Sequence, residues 1–186
     1  AVETSYAEPV LQDYYTNGQY EALLMSDGSV LAQGADKAFV NKLNGWTGVS
    51  KLRCRGNLAA AVLWSGSVVC AGFDAQTAKE IAGWDDMYEI YIGDSFALGL
   101  SLDGTVSYAC YACVDEDLLG LDAVLDWESV EYIDLEGDAA LAVNTDGRVY
   151  ALANGAYSRR KNFEPDRIRD SLLAFAGEWI NFCRHT

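Results

Sequence analysis

Cys110 and Cys113 form a C-x-x-C pair inside SYACYACVDED, a spacing that serves dithiol redox chemistry or half of a zinc site. The redox motif needs a helix start beside a parallel sheet, and zinc needs a second pair of ligands. The only histidine, His185, lies at the far end of the chain, so the pair reads as small side chains closing a strand. His185 is also the only imidazole base for a Ser or Cys nucleophile, and it stands where a strand core is expected. The acidic run Asp115, Glu116 and Asp117 lacks calcium-loop spacing and reads as a solvated loop. Asp27, Asp103 and Asp146 each precede a glycine, where turn formation is sufficient reason for them. The sequence therefore offers no catalytic set, no cofactor motif and no metal site, and an enzyme ranks third among its readings.

The elements that would hold any site are set by an internal repeat. Trp46, Trp84 and Trp127 each precede a turn glycine, Gly66, Gly104 or Gly147, by twenty residues, and Glu8 stands at the same distance before Gly28. The third residue after each opener is Leu11, Val49, Met87 or Val130, and the sixth is Tyr14, Leu52, Ile90 or Ile133. Six and four residues before the turn glycine come Ala22 and Leu24, Ala60 and Val62, Leu98 and Leu100, Leu141 and Val143. That alternation marks a strand with one apolar face, and the small residues between, such as Ala59 and Ala61, mark a second face that packs closely. Asp-Gly or Ser-Gly then turns the chain, because glycine tolerates positive φ, and a valine follows two residues later in every copy. Each copy thus reads as strand, turn, strand, tight hairpin, strand.

These units predict an all-β, β-propeller-like array of four repeats plus a terminal strand, in a single domain over residues 1–186. Copies start near 8, 46, 84 and 127, and Trp179, Phe182 and His185 repeat the opener spacing of a partial copy at 179–186. The connections 35–45 and 73–83 read as a turn with one more edge strand. In the last connection Pro165, Ile168, Leu172, Leu173 and Phe175 predict a short helix.

Composition narrows the partners. With 13 Lys plus Arg against 28 Asp plus Glu, the net charge of -15 repels phosphate backbones and anionic lipid, which argues against nucleic acid and membrane. No run approaches a membrane span, and no uncleaved signal peptide is expected. Five cysteines cannot all pair within one chain, which points towards a reducing, cytoplasmic compartment, with a secreted mature chain as the alternative.

The repeat resembles that of the regulator of chromosome condensation family, whose blades carry a pattern like W-x-x-I-x-x-I-x-x-G followed by apolar-Ala-Leu-x-x-D-G-x-V. The resemblance covers residues 8–153 and 179–186, and in length the copies are similar to the compact bacterial members, the propeller-type β-lactamase inhibitory proteins among them. The family's usual His-Thr or His-Ser is replaced by Tyr20-Glu21, Leu58-Ala59, Phe96-Ala97 and Ala139-Ala140. Family members usually form seven blades, so four copies imply a ring that is small, open, completed by another chain or cut from a larger protein. The resemblance implies a non-catalytic scaffold binding another protein through one face of the ring, with self-association to complete the ring as a further partner. It makes Tyr20, Leu58 and Phe96, at the bend between the first two strands, candidate contact residues. Trp64 joins them because it stands alone where other copies have Ser26, Leu102 and Thr145. A carbohydrate-binding module is the alternative, since aromatic rings stack on sugars.

Overall fold

The computed structural model describes residues 8–113 and 120–152. Within them the chain forms four three-stranded antiparallel sheets, each in sequence order. Blade 1 comprises β1 (Leu11–Thr16), β2 (Tyr20–Met25) and β3 (Val30–Gly34), and blade 2 comprises β4 (Val49–Arg55), β5 (Leu58–Leu63) and β6 (Val68–Ala71). Blade 3 comprises β7 (Met87–Ile92), β8 (Phe96–Ser101) and β9 (Val106–Cys110), and blade 4 comprises β10 (Val130–Glu136), β11 (Ala139–Asn144) and β12 (Val149–Leu152). The all-β, propeller-like reading of the sequence holds. The expected helix of the last connection, the partial copy at Trp179, His185 and the Asp115–Asp117 run lie outside the described residues.

The connections differ from the expected edge strands. α1 (Lys37–Asn44) and α2 (Ala75–Ile81) cover the outer edges of blades 1 and 2, and a 3-10 helix at Leu121–Asp126 follows blade 3. Asp36 and Asp74 cap the two α-helices, each carboxylate accepting two backbone N–H bonds, and the buried Val40, Leu43, Thr77 and Ile81 recur at helical spacing. Asn44 bonds both backbone groups of Ala32, at 2.6 and 3.0 Å, which leaves that stretch of β3 closed to another strand.

The core lies between blades. In each junction the second strand of one blade presents its apolar face to the opener tryptophan and first strand of the next: Ala22 and Leu24 meet Trp46, Val49 and Leu52. Ala60 and Val62 meet Trp84, Met87 and Ile90, and Leu98 and Leu100 meet Trp127, Val130 and Ile133. The small residues of the other face make room for the indoles: a Cβ on Gly99 would stand 2.7 Å from the Trp84 ring. In blade 1, where Glu8 replaces the tryptophan, Leu11 and Tyr14 occupy the same repeat positions but are exposed. Among the described residues no blade precedes theirs to cover them.

A backbone clip recurs at every junction. The carbonyls of Gly28, Gly66 and Gly104 accept from the N–H of Val49, Met87 and Val130, each at 2.9 Å. All three turn glycines have positive φ, and a Cβ on any of them would come within 3.0 Å of the next blade's backbone. The glycine thus serves the hairpin and the docking of the following blade together. A second recurring feature is a register shift in each first strand, between Leu11 and Asp13, Val49 and Lys51, Met87 and Glu89, and Val130 and Tyr132. These bulges turn the bulged side chains, Tyr88 among them, out of simple alternation.

Candidate protein-binding face

The four residues singled out from sequence do not come together. Tyr20, Leu58 and Phe96 start second strands at the bend end of the blades, whereas Trp64 follows β5 at the hairpin end. Six strand residues separate the ends, roughly 20 Å. Tyr20 and Phe96 are also core: they are 5% and 0% exposed. The Tyr20 hydroxyl donates to the Leu58 carbonyl at 3.4 Å, and its ring meets Phe39 edge-on at 4.9 Å. Burial raises its phenol well above the ordinary tyrosine range. Phe96 packs against the 3-10 helix residues Leu121 and Val124 and the first strand of blade 4. The expectation that these two rings form a surface is therefore corrected, because the inter-blade core extends as far as the bend. Leu58 is half-buried beside them.

The bend end is a polar seam instead. Asn17 donates to the Gly56 carbonyl at 2.8 Å, Arg55 pairs with Asp94, and Ser95 bonds Asp138 through its N–H and hydroxyl, both at 2.8 Å. Each of these links one blade to the next. Cys110 and Cys113, bonded to each other at the close of β9, sit against Ser95 in the same seam. The disulfide places the C-x-x-C pair beyond the reading as two unlinked small side chains. Cys54 stays free, and burial pushes its thiol up to about 11, away from nucleophilic reactivity.

The hairpin end is different. Trp64 is 65% and Leu102 70% exposed at equivalent positions just before the turns of blades 2 and 3. Their backbone N–H groups bond Gly48 and Asp86, so the side chains are fixed on rigid hairpins. The indole lies over the neighbouring turn, where a Cβ on Gly28 would meet it at 2.7 Å. Tyr88 and Tyr132 are exposed nearby and share with Leu102 the walls of a groove between blades 3 and 4. Sequence periodicity missed both tyrosines because the bulges displace them from the alternation.

From this groove the two tyrosines lead onto the wall formed by the first strands, where Arg53, Glu89, Tyr91 and Asp134 line a second cavity of about 440 Å³. Glu89 is buried there between Lys51 at 3.8 Å and Arg53 at 3.2 Å, and Arg53 also reaches Asp13 at 3.4 Å. The Tyr91 phenol is pushed up to about 12, first by burial and then by the Glu89 charge. The buried carboxylate is thus paired across blades 2 and 3, and Arg53 carries the network on to Asp13 of blade 1. Around the apolar rim the charge is acidic: Asp103, held below its ordinary range by the Ser101 hydroxyl and then by Thr105, and Glu131 beside the groove.

No protein-family model matches the sequence, and no curated protein does. Solved structures do. The chain is similar to yeast RCC1 (Prp20) bound to Kap60, at 13% identity over 79% of this chain and 44% of that one, with a TM-score of 0.55. It is similar to human WBSCR16 at 13% identity, 81% and 50% coverage and a TM-score of 0.59. Prp20p from Saccharomyces cerevisiae, whose structure is described with its binding to Gsp1p and histones, aligns at 15% identity, 76% and 44% coverage and 0.51. At such identities the likeness is one of fold: the chain has the RCC1-like repeat propeller fold expected from its blades. It spans about half the length of these neighbours.

Proposed function

We propose that this chain is a non-catalytic scaffold that binds another protein through the hairpin rim of its blades. The observation that carries the reading is the row of exposed apolar side chains, Trp64, Tyr88, Leu102 and Tyr132, held on rigid hairpins and bulged first strands. Large exposed apolar groups on an ordered surface mark interaction sites, and tyrosine and tryptophan are favoured anchors. Fold neighbours crystallised with Kap60, or described with Gsp1p and histones, support a protein partner in general terms. The acidic surroundings and the net charge of -15 favour a partner whose apolar patch has a basic rim. Tyr20 and Phe96 enter this reading as packing residues at the opposite, bend end of the blades, and Trp64 as the blade 2 end of the row.

The test is capture from a native extract on immobilised protein, with Trp64→Ser/Leu102→Ser beside wild type and Gln19→Ala, at the opposite end, as control. The rim variant loses the proteins that wild type and control both retain. Equal retention by all three rejects the rim. A second reading, carbohydrate binding, draws on the rings of Tyr88 and Tyr132 above one groove, and a silent glycan array removes it. Self-association is the other form a protein partner can take; the exposed Leu11 and Tyr14 on blade 1 favour it.

A further inference from the structure

The C-x-x-C pair has no part in the hairpin rim, and it stands at a place the repeat treats specially. Cys110 occupies the position of Gly34 in blade 1 and Gly72 in blade 2. A Cβ there would lie 2.7 Å from the Gln19 carbonyl oxygen in blade 1 and 1.9 Å from that of Asn57 in blade 2, so neither copy has room for a side chain. Ser95 holds the same bend position in blade 3, and its carbonyl oxygen lies 3.7 Å from the Cys110 sulfur and 3.6 Å from the Cys113 sulfur. Blade 3 thus brings two sulfurs to a carbonyl that its neighbours guard with glycine.

That carbonyl is already saturated. It accepts from the N–H groups of Tyr111 and Ala112, both at 3.0 Å, and a carbonyl oxygen has two lone pairs. Disulfide sulfurs donate nothing, so the oxidised arrangement is satisfied. Reduction creates two S–H donors that compete with those N–H groups, and it parts the sulfurs from bonding to van der Waals distance. The near side of the loop is held: the Cys110 carbonyl accepts from the Thr77 hydroxyl at 3.1 Å, the Tyr111 hydroxyl donates to the Gly93 carbonyl, and the Tyr111 ring meets Phe73 edge-on at 5.2 Å. The displacement on opening therefore falls on Cys113 and Ser95.

Ser95 passes that displacement to the next blade. Its N–H and hydroxyl bond Asp138, and the Asp94 N–H donates to the Gly137 carbonyl at 3.0 Å, so this turn is the bend-end joint of blades 3 and 4. Both cysteines also edge the core that those blades share. The two are half-buried around the exposed Ala112, within reach of a small thiol. A bond between residues three apart constrains the unfolded chain little, so global stability is a weak reason for it.

We propose that Cys110 and Cys113 form a thiol–disulfide exchange site: a dithiol reductant opens the pair in the folded chain, and opening loosens the bend-end joint of blades 3 and 4. A thiolate of the reductant attacks one sulfur, the S–S bond breaks, and the other sulfur leaves as a thiolate that takes up a proton. The reductant's second thiol then attacks the mixed disulfide. The reductant departs oxidised as a disulfide, and the protein has gained two electrons and two protons.

The experiment equilibrates the full chain with glutathione disulfide or with dithiothreitol in native buffer, then follows thiol alkylation by mass spectrometry and amide hydrogen exchange residue by residue. Cys110 and Cys113 take the label after dithiothreitol and not after glutathione disulfide. The amides of Asp94, Ser95, Tyr111 and Ala112 exchange faster by about tenfold or more in the reduced chain. Ala35, whose N–H makes the equivalent bond to the Gln19 carbonyl at 3.2 Å, keeps its rate. Cys110→Ser/Cys113→Ser shows the fast rates without reductant, and if that variant does not fold, the comparison of the two wild-type states decides alone. A pair that opens only in urea is a structural bond and overturns the proposal, as does a pair that takes the label after glutathione disulfide. Unchanged exchange at the four amides overturns the coupling to the joint, and an equal rise at Ala35 overturns its confinement to blades 3 and 4.

Discussion

Replacing Gly104 by alanine tests whether the turn glycines hold the blades together. At φ +82 an alanine pays the left-handed penalty, about 1 kcal/mol. Its Cβ would also stand 2.8 Å from the Val130 nitrogen and 2.9 Å from two Ser129 atoms, all backbone, so blade 4 must move away. That movement breaks the 2.9 Å bond from Val130 to the Gly104 carbonyl, about 1 kcal/mol. A shift of about half an ångström also forfeits roughly a quarter of the dispersion at the nearby contacts, which adds about 1 kcal/mol. The sum is about 3 kcal/mol, or a fall in Tm of roughly 6 to 12 °C for a chain of this size. Gly56→Ala is the control, since its φ is +52 and nothing lies within 4 Å, leaving only the backbone cost of about 1 kcal/mol. Urea and thermal unfolding followed by circular dichroism measure both. Equal destabilisation by the two variants refutes the clip.

Phe96→Ala empties a fully buried site and lowers stability by about 3 to 5 kcal/mol in urea titrations, whereas Leu102→Ser changes it by less than about 0.5. Glu89→Gln removes the charge between Lys51 and Arg53; the Tyr91 phenol, raised partly by that charge, then titrates lower in an ultraviolet pH titration. Asp103 has its pKa lowered by folding, so its contribution is present above the ordinary value of 3.8 and disappears as pH falls through the folded value. Asp103→Asn accordingly melts below wild type at neutral pH, and the difference closes in acid.

The four described blades, their strand order and their hairpin positions were legible because each depends on short-range chemistry. Asp103-Gly104 turns the chain wherever it stands, and alternation through Leu98 and Leu100 assigns a face. The helices were missed although Asp36 and Asp74 are capping residues, because eight-residue or shorter helices hold few periodic positions against a strand reading. Tyr20 and Phe96 were placed at the right end but on the wrong side of the surface. An apolar residue at a bend looks alike whether it faces solvent or a neighbouring blade, and only the helix packed beyond it decides. Trp64 was singled out because it breaks the repeat, and it is exposed. Leu102, at the same position, does not stand out as an aliphatic residue, and Tyr88 and Tyr132 lie where the bulges cancel a period of two. The disulfide at Cys110 needed geometry, since C-x-x-C spacing serves several chemistries.

The central claim, that the hairpin rim is the binding face, meets its most direct test in quantitative capture by wild type and Trp64→Ser/Leu102→Ser from the same extract. The account predicts that the retained partner is lost with the rim variant while both proteins melt within about 1 kcal/mol of each other. Undiminished capture by a folded rim variant would contradict it.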